Sequence, residues 1–141
     1  MLSRKQDAFT LIEIMIVVIV IGVLATMVGP RIMKYWETIK LNQTKATIAG
    51  LQAGIQDYYG DVGSFPKRLD YLLDSPGGKM AAKWRGPYLK GKDLPLDPWN
   101  TEYEYNSPPI RFKAEYRYKY YEIFSLGPDK EESADDIQAG E

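Results

Sequence analysis

FTLIEIMIVVIVIGVLATMVGP, residues 9–30, decides the fold. From Ile14 to Pro30 the chain carries no charge, and eight of the nine residues from Ile12 to Val20 are Ile, Val or Met. The exception is Glu13. A run of this length suffices to cross a bilayer as one helix. An acid within it is costly, roughly 2.5–3.5 kcal/mol at the bilayer centre and less toward the interface. Glu13 therefore marks a functional position in need of a partner. In front stands MLSRKQDA, residues 1–8, short and polar, with Arg4 and Lys5. A secretory signal peptide places its small-residue cleavage site after the apolar region. Here the small residue, Ala8, precedes it, and Pro30 follows directly on Gly29. The apolar run is expected to be retained and only residues 1–8 removed.

A short basic leader, a small residue, FTLIE and an apolar helix together resemble the type III signal of type IV pilins and type II secretion pseudopilins. The resemblance implies that a prepilin peptidase cuts between Ala8 and Phe9 and methylates the Phe9 amine. It also implies that Glu13 is the assembly glutamate and Pro30 the helix-bending proline. Where the family has Gly before the cut, this chain has Ala8.

Composition bounds the rest. At 141 residues the chain has room for the anchor and one modest domain. Removing Arg4, Lys5 and Asp7 from 18 basic and 19 acidic side chains leaves 16 and 18, with no nucleic-acid footprint. With no Cys and no His, disulfides and Cys/His zinc sites are excluded, and the commonest general base is missing. Arg4 and Lys5 precede the apolar run and Arg31 and Lys34 follow it, so the positive-inside rule leaves orientation open.

Beyond Pro30 nothing else breaks the helix, so the proline should bend it and let it continue. Ile48, Leu51, Ile55 and Tyr58 recur at helical spacing, with Trp36 and Ile39 in line further back. Gly60-Asp61, followed by Gly63 and Pro66, supplies a stop, which predicts one helix from Phe9 to Tyr59. Gly50 and Gly54 suggest a closely packed neighbour. Lys67 to Leu73 can form a short helix with Leu69, Leu72 and Leu73 as its apolar face. WRGPYL (84–89) and LPLDPW (94–99) read as proline-rich loops whose aromatics plug the core beneath them. Glu102 to Tyr105 reads as a strand and Asn106 to Pro109 as a turn. Arg111 to Tyr120 alternates cleanly, with Phe112, Ala114, Tyr116, Tyr118 and Tyr120 on one face, and is read as a second strand with that stripe in the core. Tyr121, Ile123 and Ser125 switch parity, which predicts a bulge, turn or break near Tyr120-Tyr121. The expected class is α+β: a long N-terminal helix, membrane-spanning in its first half, packed on a small antiparallel sheet. The divisions are a leader at 1–8, a transmembrane and polymerisation helix at 9–30, and an α+β domain at 31–141.

The order helix, GDVGSFP, short leucine helix, WRGPYL, LPLDPW, paired strands and SLGPD resembles the major pseudopilins of type II secretion systems over nearly the entire chain. The resemblance implies a pilin-like, non-enzymatic structural subunit. It implies a single-pass inner-membrane protein with its C-terminal domain in the periplasm. Such a chain forms a homopolymer through its N-terminal helix, a pseudopilus that drives export of folded proteins. The implied partners are minor pseudopilins, the inner-membrane assembly platform and the prepilin peptidase. The alternative is a type IV pilus major pilin, for adhesion, motility or DNA uptake; many of those carry a C-terminal disulfide loop, which a chain without Cys cannot form. This chain departs from the pseudopilins in its longer, tyrosine-rich stretch from Arg111 to Tyr121.

SLGPDKEESADDI, residues 125–137, places five acids between Asp129 and Asp136. Spacing leaves two readings open, a solvated acidic tail or a loop wrapped on calcium, which takes six to eight oxygens. The resemblance implies calcium, with Asp129 and Asp135 as side-chain ligands, Leu126 and Ser133 as carbonyl ligands and Asp136 as a further one. The family commonly has Gly after the first Asp; here it is Lys130, and the loop is slightly short.

Overall fold

The computed structural model describes residues 10–112, 119–134 and 136–138. Helix α1 spans Leu11–Val62 and runs through position 30 without interruption. The chain divides into two compact units, residues 1–39 and 40–141.

In the first unit the large apolar side chains from Leu11 to Met33 are solvent-facing. By length and composition this stretch can cross a membrane, with a mean hydropathy of 2.9 over its most apolar window. Its one hydroxyl beyond the cap, Thr26, donates to the Val23 carbonyl at 2.7 Å and so needs no water. Trp36 and Ile39, expected to extend the buried stripe, are exposed and belong to this unit.

The second unit is built on the C-terminal part of α1. Thr44, Ile48, Leu51, Ile55, Tyr58 and Val62 are buried, a repeat of three and four residues that keeps one helix face inward. The helix runs three residues past the expected end at Tyr59, through Gly60-Asp61, because Val62 still has core to fill. Gly63 ends it at φ +84°, a conformation that favours glycine, with its N–H donating to the Tyr59 carbonyl at 2.8 Å. The expected helix at 67–73 contracts to a single 3-10 turn, Leu69–Leu72, with Leu69 and Leu72 buried. A one-turn helix α2 follows at Gly78–Ala81.

The aromatics of the WRGPYL loop do plug the core. Trp84 Nε1 donates to the Tyr71 carbonyl at 2.8 Å, and the Tyr88 hydroxyl donates to Asp61 at 3.0 Å while accepting from the Arg85 N–H at 2.9 Å. Tyr88 meets Tyr58 and Trp84 edge to face. Of the glycine pair on α1, Gly54 touches this loop: a Cβ there would lie 3.0 Å from Leu89 and 3.2 Å from the Tyr88 carbonyl. Gly50 has nothing within 4 Å.

The sheet has three antiparallel strands in the order β1 (Glu104–Asn106), β2 (Glu122–Ser125) and β3 (Ile137–Gln138). Tyr105 pairs with Ile123, and Ser125 with Ile137. All four residues of β2 are buried. Ile123 belongs to the core cluster that includes the helix residues, while Phe124 meets Phe112 edge to face. The expected second strand at 111–120 is not observed at its ends: Arg111, Phe112, Lys119 and Tyr120 are bends. Residues 113–118, with Ala114, Tyr116 and Tyr118, lie outside the described residues. Tyr120 is exposed rather than core and stacks on Phe65, which in turn stacks on Tyr59. The predicted break near Tyr120-Tyr121 is present, since β2 starts at Glu122.

Candidate functional site

Two regions carry the expected functional residues. The first is the start of α1. Ala8 and Phe9 lie outside the described residues. Glu13 sits in the first turn, where a negative charge complements the partial positive charge of a helix N-terminus. The Thr10 N–H donates to Glu13 Oε2 at 3.5 Å, and the Glu13 N–H donates to Thr10 Oγ1 at 3.4 Å. This is a capping box, loose but reciprocal. The sequence carried its signal, T-x-x-E ahead of an apolar run. Glu13 thus helps start the helix as well as standing alone as the acid of the apolar stretch.

The second region is the C-terminal loop. A tight turn at Gly127 (φ +74°) leads into it. Asp129 organises its middle: Oδ1 accepts the Glu131 N–H at 3.2 Å and Oδ2 accepts the Ser133 hydroxyl at 3.1 Å. Lys130, in the position where the family commonly has Gly, adopts φ +61°. Asp136 is almost fully buried, with its side chain 1% exposed. Its Oδ2 is paired with Arg111, and its Oδ1 accepts the Ser133 N–H at 3.3 Å. The second guanidinium arm of Arg111 donates to the Ser133 carbonyl. Asp135 lies outside the described residues.

Arg111 was not singled out by sequence, nor was the residue that places it. Glu122 on β2 is fully buried, yet its carboxylate is well satisfied. It accepts the N–H groups of Ile110 (3.1 Å), Arg111 (3.0 Å) and Phe112 (2.8 Å) and the Asn106 side-chain amide at 2.8 Å. Burial alone would push its carboxyl up; the Phe112, Arg111, Ile110 and Asn106 donors outweigh that and hold it below the usual carboxylate value. Glu122 therefore folds residues 110–112 over the outer face of β2. The Arg111 guanidinium then lies against the rings of Phe112 and Phe124, 4.9 and 5.3 Å from their centres.

The donor set in the C-terminal loop is all oxygen, which suits a hard cation. Among the described residues, however, no group of three or more acidic side chains converges. The Ser133 carbonyl and the Asp136 carboxylate face the guanidinium, and both Asp129 oxygens are taken by loop donors. Among the described residues Arg111 is the cation that the Ser133 carbonyl and the Asp136 carboxylate meet; Asp135, the other implied side-chain ligand, lies outside them.

Comparisons with known proteins agree with the architecture. The family described as type II secretion system (T2SS), protein G matches residues 31–140, and the prokaryotic N-terminal methylation motif matches residues 3–29. The type II secretion system core protein G of Pseudomonas aeruginosa is 34% identical over 144 residues, spanning 99% of this chain and 95% of that protein. The core protein G of Xanthomonas campestris is 38% identical over 124 residues, spanning 88% and 80%. That of Klebsiella pneumoniae is 33% identical, spanning 95% and 94%. The crystal structure of the major pseudopilin from the type 2 secretion system of enterohaemorrhagic Escherichia coli shares the fold, with a TM-score of 0.57 over 74% of this chain and 90% of that one, at 23% identity. The methylation motif and the apolar helix fit a membrane-anchored component of the system. The family is one of structural subunits rather than enzymes, and this chain belongs to it: a type II secretion system protein G.

Proposed function

We propose that this chain is stored in the inner membrane with its C-terminal unit in the periplasm and polymerises through α1 into the pseudopilus that drives export of folded proteins. The observation that carries this reading is the first half of α1. Its large side chains from Leu11 to Met33 face outward along more than twenty residues, far more apolar surface than a soluble monomer presents. Lipid covers that surface in the stored form, and further copies of α1 cover it in the filament. The prepilin peptidase cuts between Ala8 and Phe9, and the Phe9 amine of one copy pairs with Glu13 of its neighbour. Two lone charges in lipid are each costly, and pairing them on assembly turns that cost into a register constraint. Minor pseudopilins and the inner-membrane platform are the remaining partners.

The test is deletion of the gene in its own host. Loss of secreted enzymes from the culture supernatant, restored by the intact gene, supports the reading. Intact secretion with loss of surface motility or DNA uptake assigns the chain to a type IV pilus instead. Intact mass of the membrane-extracted protein checks processing: a chain beginning at methylated Phe9 supports the cut, and a chain retaining residues 1–8 overturns it.

A further inference from the structure

The C-terminal loop brings a buried carboxylate and a carbonyl oxygen to one point. We propose that Arg111 is the resident cation of this loop: its guanidinium holds the Ser133 carbonyl and the Asp136 carboxylate, two of the five groups that resemblance assigns to a divalent ion, and anchors the loop without one.

Three observations carry this. First, the Asp136 side chain is 1% exposed, and a carboxylate so buried requires a positive partner. Arg111 is that partner, with one arm on Asp136 and the other on the Ser133 carbonyl. A planar fork with two donors suits two oxygens side by side. Second, the guanidinium is held in place. The Arg111 N–H is bound by both Glu122 oxygens, at 3.1 and 3.0 Å, and the side chain lies against two phenyl rings. Its position is fixed from β2, so little rotamer freedom remains to be lost when it grips the loop. Third, the arrangement links the sheet to the loop in a continuous path: Glu122 on the central strand, the 110–112 backbone, the Arg111 side chain, then Ser133 and Asp136 immediately before β3. Asp136 directly precedes Ile137, which pairs with Ser125. A cation at this point therefore fixes the entry of β3 into the sheet, the task a bound ion would otherwise perform.

The test uses the detergent-solubilised full chain, with unfolding followed by the fluorescence of its three tryptophans. The wild type is expected to melt at one temperature in EGTA and in millimolar calcium. Arg111→Ala is expected to melt roughly 10 °C or more lower in EGTA, since it strands a buried carboxylate. Adding Asp136→Asn to Arg111→Ala removes the stranded charge and is expected to recover part of that loss. Where Arg111→Ala does not fold, Arg111→Lys serves: it keeps the charge but not the fork and is expected to melt below the wild type in EGTA, and a variant that melts with the wild type there overturns the proposal. A wild type that gains several degrees from calcium, or an Arg111→Ala variant that melts with the wild type in EGTA, overturns the proposal.

Discussion

The Ser125 hydroxyl donates to Asp97 Oδ2 at 2.7 Å, joining the end of β2 to the middle of the LPLDPW loop. Both residues are buried. Asp97 Oδ1 accepts the N–H groups of Trp99 (3.0 Å) and Thr101 (2.8 Å), and the Ser125 oxygen accepts the Gly127 N–H at 3.1 Å. The loop is thus pinned by its aspartate, and the same contact sets the turn that begins the C-terminal loop. Asp97→Ala should cost more than Ser125→Ala, about 1.5–3 kcal/mol against about 1, since it leaves three donors without their acceptor rather than one. Because both mutations break the same contact, the double mutant should cost less than the sum. Urea titrations of the two single mutants and the double mutant measure this.

Glu122 makes stability depend on pH. Its folded-state carboxyl lies below the usual 4.5 because four donors favour the anion. A group depressed on folding stabilises fully above its unfolded pKa, and that contribution is lost as pH falls through the folded value. Glu122→Gln should therefore be less stable at pH 7, by about 1.5–3 kcal/mol. The gap between variant and wild type should close as the pH is lowered below about 4.5. Denaturant melts of both proteins between pH 7 and pH 3 give the comparison; a gap that does not change with pH contradicts it.

Much of this was legible from residue order. The inward face of α1 follows from the 3.6-residue spacing of Ile48, Leu51, Ile55 and Tyr58, because a helix stripe depends on local geometry alone. The ends of the stretch from Arg111 to Tyr120 were not legible. The alternation satisfies a strand pattern, but at 110–112 the backbone N–H groups are drawn to a carboxylate ten to twelve residues later in the chain and leave the ladder. The acid within YEIFS is the signal that sequence reasoning passed over: Glu122 lies among apolar residues and, once buried, requires donors. For the C-terminal loop, the acids were visible but their cation was not, since the Arg111–Asp136 pair spans 25 positions.

Gly50 and Gly54 of α1 should respond in opposite directions. Gly50 has open space around it, so Gly50→Ala should stabilise by up to about 1 kcal/mol through helix propensity. At Gly54 a Cβ meets the Tyr88 carbonyl, whose residue is itself held by the Leu72 carbonyl at 2.7 Å and cannot retreat. Gly54→Val should destabilise by about 1–3 kcal/mol. Thermal melts of the two variants decide it, and a stabilised Gly54→Val would show that the WRGPYL loop does not press on the helix.

Lys130 holds φ +61°, a left-handed conformation that costs a side chain roughly 1–2 kcal/mol and a glycine little. Among the described residues the Lys130 side chain makes no hydrogen bond or ion pair that fixes this conformation, so Lys130→Gly should raise the melting temperature. Calorimetry of the variant tests this; a lower melting temperature would mean that the lysine side chain stabilises the turn.

In the proposed pseudopilus, α1 joins copies of this chain through Glu13, the acid of its apolar stretch. Filaments sheared from cells overproducing the protein and quantified by immunoblot test it most directly. Thr10→Ala removes one half of the loose capping box and should leave filaments largely intact. Glu13→Ala should leave the protein in the membrane, at a lower insertion cost than the wild type, while abolishing the sheared filament fraction. Wild-type filament yield from Glu13→Ala would contradict the account.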